Sequence, residues 1–504
     1  MPEKSQFAPE VVISDADSRR VVSRAVGSGE LRRLASRLYT RNLTDTPEVI
    51  VRRNLWQILG RFVPGALIAD RTALEFKPAP DGSIFIVSDR KRDIELPGII
   101  IRPRKGIAPL PDDKPFVDNL WISSQPRAFL ENIRVSRARA SRCSRTLSRL
   151  EIEERLELIL RRSGELVLKQ LRDEARLIAP ELGLEREFKQ LDNLIGALLG
   201  TRDETLVSKA GIARKKGEPY DPDRLPLFEV LHRALHETPP NTRSSSATNS
   251  VLAFFEAYFS NFIEGTEFAV SEAEEIVFAG RAPKDRPADA HDVLGTYQLV
   301  SDASEMRRRP RSFDEFISIL KNRHAVIMAK RPEKAPGEFK TEGNRAGSTV
   351  FVAPELVNGT LKKGFEIYQS LDAPFHRAVF MMFMIAEVHP FSDGNGRVAR
   401  IMMNAELVAE SEQRIIIPTV YRNNYLSALK ALTHQHQPKA LVRTLDFAQS
   451  YTAKIDWSDR HISRLILEAT HAFFDPTEAD MQGIRLTLPD DALIAEIKAL
   501  KQGK

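Results

Sequence analysis

The sequence predicts a multidomain, mainly α-helical protein, with a helical core interrupted by one β-hairpin and preceded by a winged-helix or α+β region. Three observations predict it. Helical periodicity dominates residues 251–450. Short apolar runs divided by Gly and Pro cluster at residues 82–104, and 504 residues are enough for about two to four domains. The expected division is a winged-helix-like and small α/β region at 1–132, then a charged helical segment and linker at 133–249. The main helical domain follows at 250–450, with a small α/β appendage at 451–504.

Residues 19–45, RRVVSRAVGSGELRRLASRLYTRNLTD, read as a short helix, a glycine-containing break and a second helix from about Glu30. The spacing of Leu31, Leu34, Ala35 and Leu38 puts apolar groups on one face of that second helix. Arg32, Arg33 and Arg37 would then share or flank one helical face, within reach of phosphates. The next helix, TPEVIVRRNLWQILGRF, has Thr46 as N-cap and Pro47 at its first position. GSIFIVSD and ELPGIIIRPR follow as short strands.

From residue 145 to about 235 the chain becomes helical and charge-rich, with solvated outer faces around packed helices. GIARKKGEPYDPDR reads as a break between helices, and ETPPNTRSSSATNS at 237–250 as a loop. Within 251–450 the segment GNRAGSTVFVAP, at 343–354, reads as the single hairpin. Beyond 450, DRHISRLILEATHAFF and GIRLTLPDDALIAEIKAL suggest the order helix, strand, helix.

Composition narrows the function classes. Cys143 is the single cysteine, which excludes an intramolecular disulfide, a cysteine zinc cluster and a C-x-x-C redox pair. The richest apolar span, AVFMMFMIAEV, is too short to cross a bilayer, and the first residues carry no apolar secretory core. A cytoplasmic protein without membrane contact is expected. The net charge of +5 is small for this length. Arginines concentrate in ENIRVSRARASRCSRT at 131–146 and in RRRPR at 307–311. Either run can meet phosphate, with solvated arginines on a loop as the default for each.

The chemistry concentrates in HPFSDGNGRVAR, His389 to Arg400. A buried helix stops at Pro390 and another starts after the glycines, with Val398, Ile401, Met402 and Ala405 on its core side. Gly394 and Gly396 remove Cβ atoms where the backbone must approach a ligand. The first turn of the new helix supplies free N–H groups, a natural anion nest. Arg397 and Arg400, three residues apart, need an anion near them, and an oligophosphate meets that need with paired charge-assisted hydrogen bonds. Asp393 would oppose a phosphate unless Mg²⁺ intervened, and Asn395 can donate to a phosphoryl oxygen. His389 is the group able to take a proton near neutral pH. The cluster suggests phosphoryl or nucleotidyl transfer.

These residues resemble the Fic family. Its motif, His-x-Phe-x-Asp/Glu-Gly-Asn-Gly-Arg-x-x-Arg, is met by His389, Phe391, Asp393, Gly394, Asn395, Gly396, Arg397 and Arg400. The resemblance implies a Fido fold over about 250–450 and transfer of AMP from ATP, a co-substrate, to a Ser, Thr or Tyr hydroxyl of a protein. It assigns His389 as general base, Phe391 as the loop's anchor in the core and Asp393 as the Mg²⁺ ligand. Gly394, Asn395, Gly396 and Arg397 would cradle the phosphates, with Arg400 on the γ-phosphate. Upstream, SNFIEG matches the family's inhibitory Ser-x-x-x-Glu-Gly through Ser260, Glu264 and Gly265, which implies that Glu264 pairs with Arg400 and holds the enzyme inactive. Residues 345–353 resemble the family's flap, where an extended segment of a protein substrate would add as a strand. Self-modification and an oligomer are compatible with this reading.

Residues 20–132 resemble AbiEi-family antitoxin and transcriptional-regulator proteins, through GELRRLASRLYTRN, VRRNLWQILGRFVPGALIADRTALE, LPGIIIRPRKG and PRAFLEN. That likeness implies DNA or partner contact by the N-terminal region. Three functional readings follow. The first is a self-inhibited protein adenylyltransferase. The second is a bifunctional enzyme that also removes AMP, or a transferase of another nucleotide. The third is a DNA-binding toxin–antitoxin-type regulator with a vestigial Fic domain.

Overall fold

The computed structural model describes residues 9–136, 142–239, 242–244 and 249–502. The chain divides into two compact units, Met1–Lys216 and Gly217–Lys504.

The first unit opens with β1 (Val11–Ile13), α1 (Arg19–Gly27), β2 (Arg32–Ala35) and β3 (Leu38–Thr40), a three-stranded antiparallel sheet in the order β1-β3-β2. The segment from Glu30, expected as a helix, is therefore a hairpin. Its Leu31, Leu34 and Leu38 fit a helical face, but Leu38 is fully buried in a strand that pairs on both sides, and that pairing overrides a short periodic signal. Arg37 turns the chain with φ +64. Arg32, Arg33 and Arg37 accordingly do not share a helical face. Arg32 donates to the Asp45 carbonyl, Arg33 to the Ala35 carbonyl and Arg37 to the Ser14 carbonyl.

The expected helix after Thr46 is two, α2 (Pro47–Arg53) and α3 (Leu55–Phe62), hinged at Asn54. Thr46 takes the extended N-cap backbone without a side-chain cap bond. Next come β4 (Leu67–Ile68), α4 (Asp70–Glu75), β5 (Ser83–Val87), β6 (Ile94–Leu96), β7 (Ile99–Arg104), β8 (Lys114–Phe116), β9 (Leu120–Ile122) and α5 (Gln125–Ile133). The six strands form one mixed sheet in the order β6-β7-β5-β4-β9-β8. The unit closes with α6 (Arg149–Leu182), α7 (Glu185–Leu198) and α8 (Lys209–Lys215). A Ser148–Glu151 capping box starts α6, and Gly183 in the left-handed conformation ends it. The GIARKK segment, expected as a break, is helical because the Ser208 hydroxyl caps Gly211 while Ala210 and Gly211 are buried.

The second unit is α9 (Leu225–His236), α10 (Ser250–Ile263), α11 (Val270–Ala279), α12 (Pro287–Ser301), α13 (Ala303–Met306) and α14 (Phe313–Ile327), then the hairpin β10 (Arg345–Ala346) and β11 (Thr349–Val350). It continues with α15 (Val357–Tyr368), α16 (Pro374–Val388), α17 (Asn395–Ala409), α18 (Arg422–Gln435), α19 (Pro438–Lys454), α20 (Arg460–Ala469), α21 (Pro476–Gln482) and α22 (Asp491–Gln502). The middle of α16, Ala378 to Ile385, is wholly buried, and α9, α15 and α17 pack against this helix. The strand expected in GIRLTLP is not formed. Leu486 is instead buried in an apolar cluster with α10 and α20, and Ile484 packs against it.

Three arginines of the basic runs are paired. Arg142 pairs with Asp93 at 3.2 Å, Arg308 with Glu305 at 2.8 Å and Arg309 with Glu410 at 2.9 Å. Arg137 and Arg139 lie outside the described residues. Among the described residues no helix is long and apolar enough to cross a membrane.

Candidate active site

The site sits where α16 ends and α17 begins. His389 caps α16 in the left-handed region, φ +55, with its N–H donating to the Ile385 carbonyl at 2.9 Å. Its Nδ1 lies 3.3 Å from the Ala386 carbonyl, which can only accept, so Nδ1 carries the proton and Nε2 keeps its lone pair. The Phe351 ring lies flat on the imidazole, centroids 3.7 Å apart and planes within 6°. Burial, partly offset by the Ala386 carbonyl and reinforced by the charge of Lys340, pushes His389 down to about 4. The imidazole is neutral at pH 7, the form a base requires.

The loop between the helices is fixed from below. Phe391 is fully buried with the His324 ring stacked on it at 3.7 Å. The Asn395 amide spans the loop, accepting from the Phe391 N–H at 2.8 Å and donating to the Phe391 carbonyl at 2.9 Å. Its side chain is therefore committed to loop geometry in this structure. His324 Nδ1 accepts from the Gly337 N–H at 2.9 Å, so its Nε2 is the donor to the Asp393 carbonyl at 3.0 Å. Burial pushes His324 down to about 4 as well.

Asn344 ties the hairpin to this loop. It donates to the Phe391 carbonyl at 3.0 Å, accepts from Lys340 Nζ at 2.7 Å, and its carbonyl accepts from the Phe351 N–H at 3.2 Å. Burial lowers Lys340 to about 8.

Gly394 supplies the left-handed N-cap of α17, φ +72, and a Cβ there would press on Met328. Gly396 is needed for room, because a Cβ would overlap the Glu264 carboxylate. That carboxylate therefore rests on the first turn of α17, where N–H groups are unpaired within the helix. Its Oε1 accepts from Arg400 Nη2 at 2.7 Å, and Arg400 also donates to the Ser260 hydroxyl at 3.0 Å and the Ser260 carbonyl at 2.7 Å. Gly265 follows with φ +86. Arg397 is held by Asp292 at 2.6 Å, and Asp292 is also held by Arg331 at 2.9 Å. The Asp393 side chain is the open one, with Oδ1 accepting the Gly394 N–H at 2.6 Å.

His389, Asp393, Gly394, Gly396, Arg397 and Arg400 are thus brought together, with Ser260 and Glu264 closing over them. Sequence reasoning missed Asp292, His324, Lys340 and Asn344. Asp292 and His324 come from α12 and α14, and a lone acid or histidine on a helix has no pattern to mark it. Phe351 fell inside the expected flap without a role.

The fold and the site define a helical domain built round a glycine-lined anion cradle with a neutral imidazole beside it. Residues 316–407 match the model of the Fic/DOC family, so the chain carries a Fic domain. The protein adenylyltransferase Fic of Drosophila willistoni is 25% identical over 255 residues, which are 48% of this chain and 49% of that protein. The protein adenylyltransferase Fic of Nematostella vectensis is 26% identical over 230 residues, 44% of this chain and 53% of that protein. The chain thus spans about half the length of the curated relatives it matches. The solved structure of Fic-1 (residues 134–508) from C. elegans is 16% identical and covers 63% of this chain and 88% of its own, at a TM-score of 0.34.

Proposed function

We propose that the Fic-bearing unit is a protein adenylyltransferase that moves AMP from Mg-ATP to a Ser, Thr or Tyr hydroxyl, and that the present structure is its self-inhibited form. The observation that carries this reading is the Glu264 carboxylate lying on the first turn of α17 and paired with Arg400 at 2.7 Å. A carboxylate resting on a helix's first turn beside an arginine supports reading this spot as an anion site.

In the reaction, the acceptor hydroxyl attacks the α-phosphorus while His389 Nε2 takes its proton. The bond from the α-phosphorus to the bridging oxygen breaks, and pyrophosphate leaves. Gly394 and Gly396 let the backbone approach the phosphates, and Arg397 and Arg400 balance their charge. The partly exposed carboxylate of Asp393 would hold Mg²⁺, a cation that favours carboxylate and phosphate oxygens. When bound, the ion neutralises phosphate charge. The hairpin offers β11 to an extended substrate segment, with Val350 67% exposed.

Support for AMP as the transferred group comes from the names of the two relatives. The DNA-binding alternative draws no support from Arg32, Arg33 and Arg37, whose side chains are engaged with backbone carbonyls. The test is incubation of the chain with ATP labelled at the α-phosphate and cell-lysate proteins. Label should enter protein with Glu264→Gly and not with the double variant Glu264→Gly/His389→Ala. Equal labelling by both, or label supplied equally well by γ-labelled ATP, defeats the reading.

A further inference from the structure

The first unit holds a second cluster of arginines that AMP transfer does not use. β7 ends with Arg102 and Arg104, which alternate onto one face of the strand while Pro103 takes the other. Arg104 grips Asp70 with two hydrogen bonds, 2.7 and 3.0 Å, and reaches Glu131 at 3.0 Å. Asp70 is 1% exposed and Glu131 6%, so the two carboxylates form the floor of a cavity of about 160 Å³. Arg104, Lys105, Arg134 and Arg145 line the cavity with them. Arg127, fully buried behind the floor, is satisfied by Asp113 at 2.6 Å and Glu131 at 3.1 Å. A second cavity of about 280 Å³ meets the first at Arg104 and Arg145, and is lined by Arg102, whose guanidinium lies 5.0 Å from the Phe85 ring centre.

The floor is saturated and the rim is not. Both acids already face Arg104, while Arg145 approaches Asp70 only to 3.8 Å and Arg134 approaches Glu187 only to 3.9 Å. Those separations lie outside hydrogen-bond range. Lys105 adds a further exposed cation at the mouth. Asp70 holds a left-handed backbone, φ +51, which is uncommon outside glycine and marks a place where the surroundings impose a conformation. Cations thus outnumber carboxylates around a concave space, and two of the guanidiniums have donors in excess of their partners.

We infer that this cleft binds the phosphate group of a small phosphate ester, with Arg145 and Arg134 as the principal donors and Arg104 as the fixed base of the site. Guanidiniums prefer phosphate because its oxygens accept paired N–H bonds, and a dianion answers the excess positive charge better than a carboxylate does. The acids beneath Arg104 hold that side chain still, so an arriving phosphate meets a preset donor. The combined space suits the ester of a small molecule and not a duplex groove. This inference is independent of AMP transfer.

The test titrates inorganic pyrophosphate and inorganic phosphate into the full-length chain by calorimetry, alongside Arg145→Gln and Arg145→Lys. The difference between wild type and Arg145→Gln belongs to this cleft, whatever the Fic cradle binds. Pyrophosphate affinity should fall roughly tenfold in Arg145→Gln and be partly restored by Arg145→Lys, as expected for loss of a charge-assisted contact. Unliganded thermal unfolding should not move, because Arg145 is partly exposed and only loosely paired. Identical pyrophosphate binding by wild type and Arg145→Gln overturns the inference. So does Arg145-dependent binding of a short DNA duplex with no Arg145-dependent pyrophosphate binding, which would make the cleft a nucleic-acid contact.

Discussion

Replacing Glu264 tests whether its contact with Arg400 is the proposed inhibitory one. The bond from Arg400 Nη2 to Glu264 Oε1 is 2.7 Å, and the two side chains are 6% and 28% exposed. A charge-assisted hydrogen bond this far out of water contributes about 1.5–3 kcal/mol. At 1.4 kcal/mol per factor of ten, its removal should raise the initial rate of AMP transfer by roughly 10- to 150-fold. Glu264→Gly removes both the charge and the bulk over Gly396. Glu264→Gln keeps the bulk and removes the charge, so it should fall between wild type and Glu264→Gly. The assay is label from α-phosphate-labelled ATP entering protein at early times, at saturating Mg-ATP. A Glu264→Gly rate within about twofold of wild type refutes the argument, because the contact would then not be what holds the enzyme back. Slower loss of AMP from pre-labelled protein in Glu264→Gly than in wild type would assign Glu264 a part in AMP removal too.

Further expectations concern the base, the second arginine and the fold. With His389 held at about 4 chiefly by burial, the rate of Glu264→Gly should stay level from pH 8 down to about pH 5 and fall below it as the imidazole gains its proton. Phe351→Ala uncovers the ring and should move this acid limb toward the ordinary histidine value of 6.5, read from a pH–rate profile. Asp292→Asn leaves Arg397 and Arg331 facing each other without their shared carboxylate and should destabilise the chain by about 3–5 kcal/mol, read as a lowered denaturation midpoint. His324, neutral in the folded state at about 4 against 6.5 when unfolded, contributes a pH-dependent loss. Its share of stability is intact above pH 6.5 and falls as pH drops from 6.5 toward 4, by about 2 kcal/mol at pH 5. Denaturant melts at pH 7 and pH 5 should show this slope, and it should shrink in His324→Gln.

The clustering of groups in the turn between α16 and α17 was legible because they are contiguous: glycines, arginines and an imidazole within twelve residues leave few structural explanations. Glu264 was legible because it lies four residues from Ser260 in a recognisable spacing. Asp292 and His324 were not, since each reaches the site from a helix far away in sequence and looks like an ordinary polar residue on its own helix. The helical core read well because its apolar periodicity runs over many turns. The segment from Glu30 was misread because four leucine and alanine positions fit a helix for only two turns, while the pairing of β3 between β1 and β2 is a long-range fact. The IRLTLP run shows the reverse failure: alternation without a sheet edge to join leaves a coil anchored by its apolar side chains.

The backbone of His389 has one more consequence. A helix that ends in a left-handed residue ordinarily places glycine there, and a side chain at φ +55 raises the energy of the native state by about 1–2 kcal/mol. Glycine at this position would relieve that strain but would also remove the ring that lies flat on Phe351, so the imidazole is kept where its own backbone disfavours it and only its packing offsets the cost.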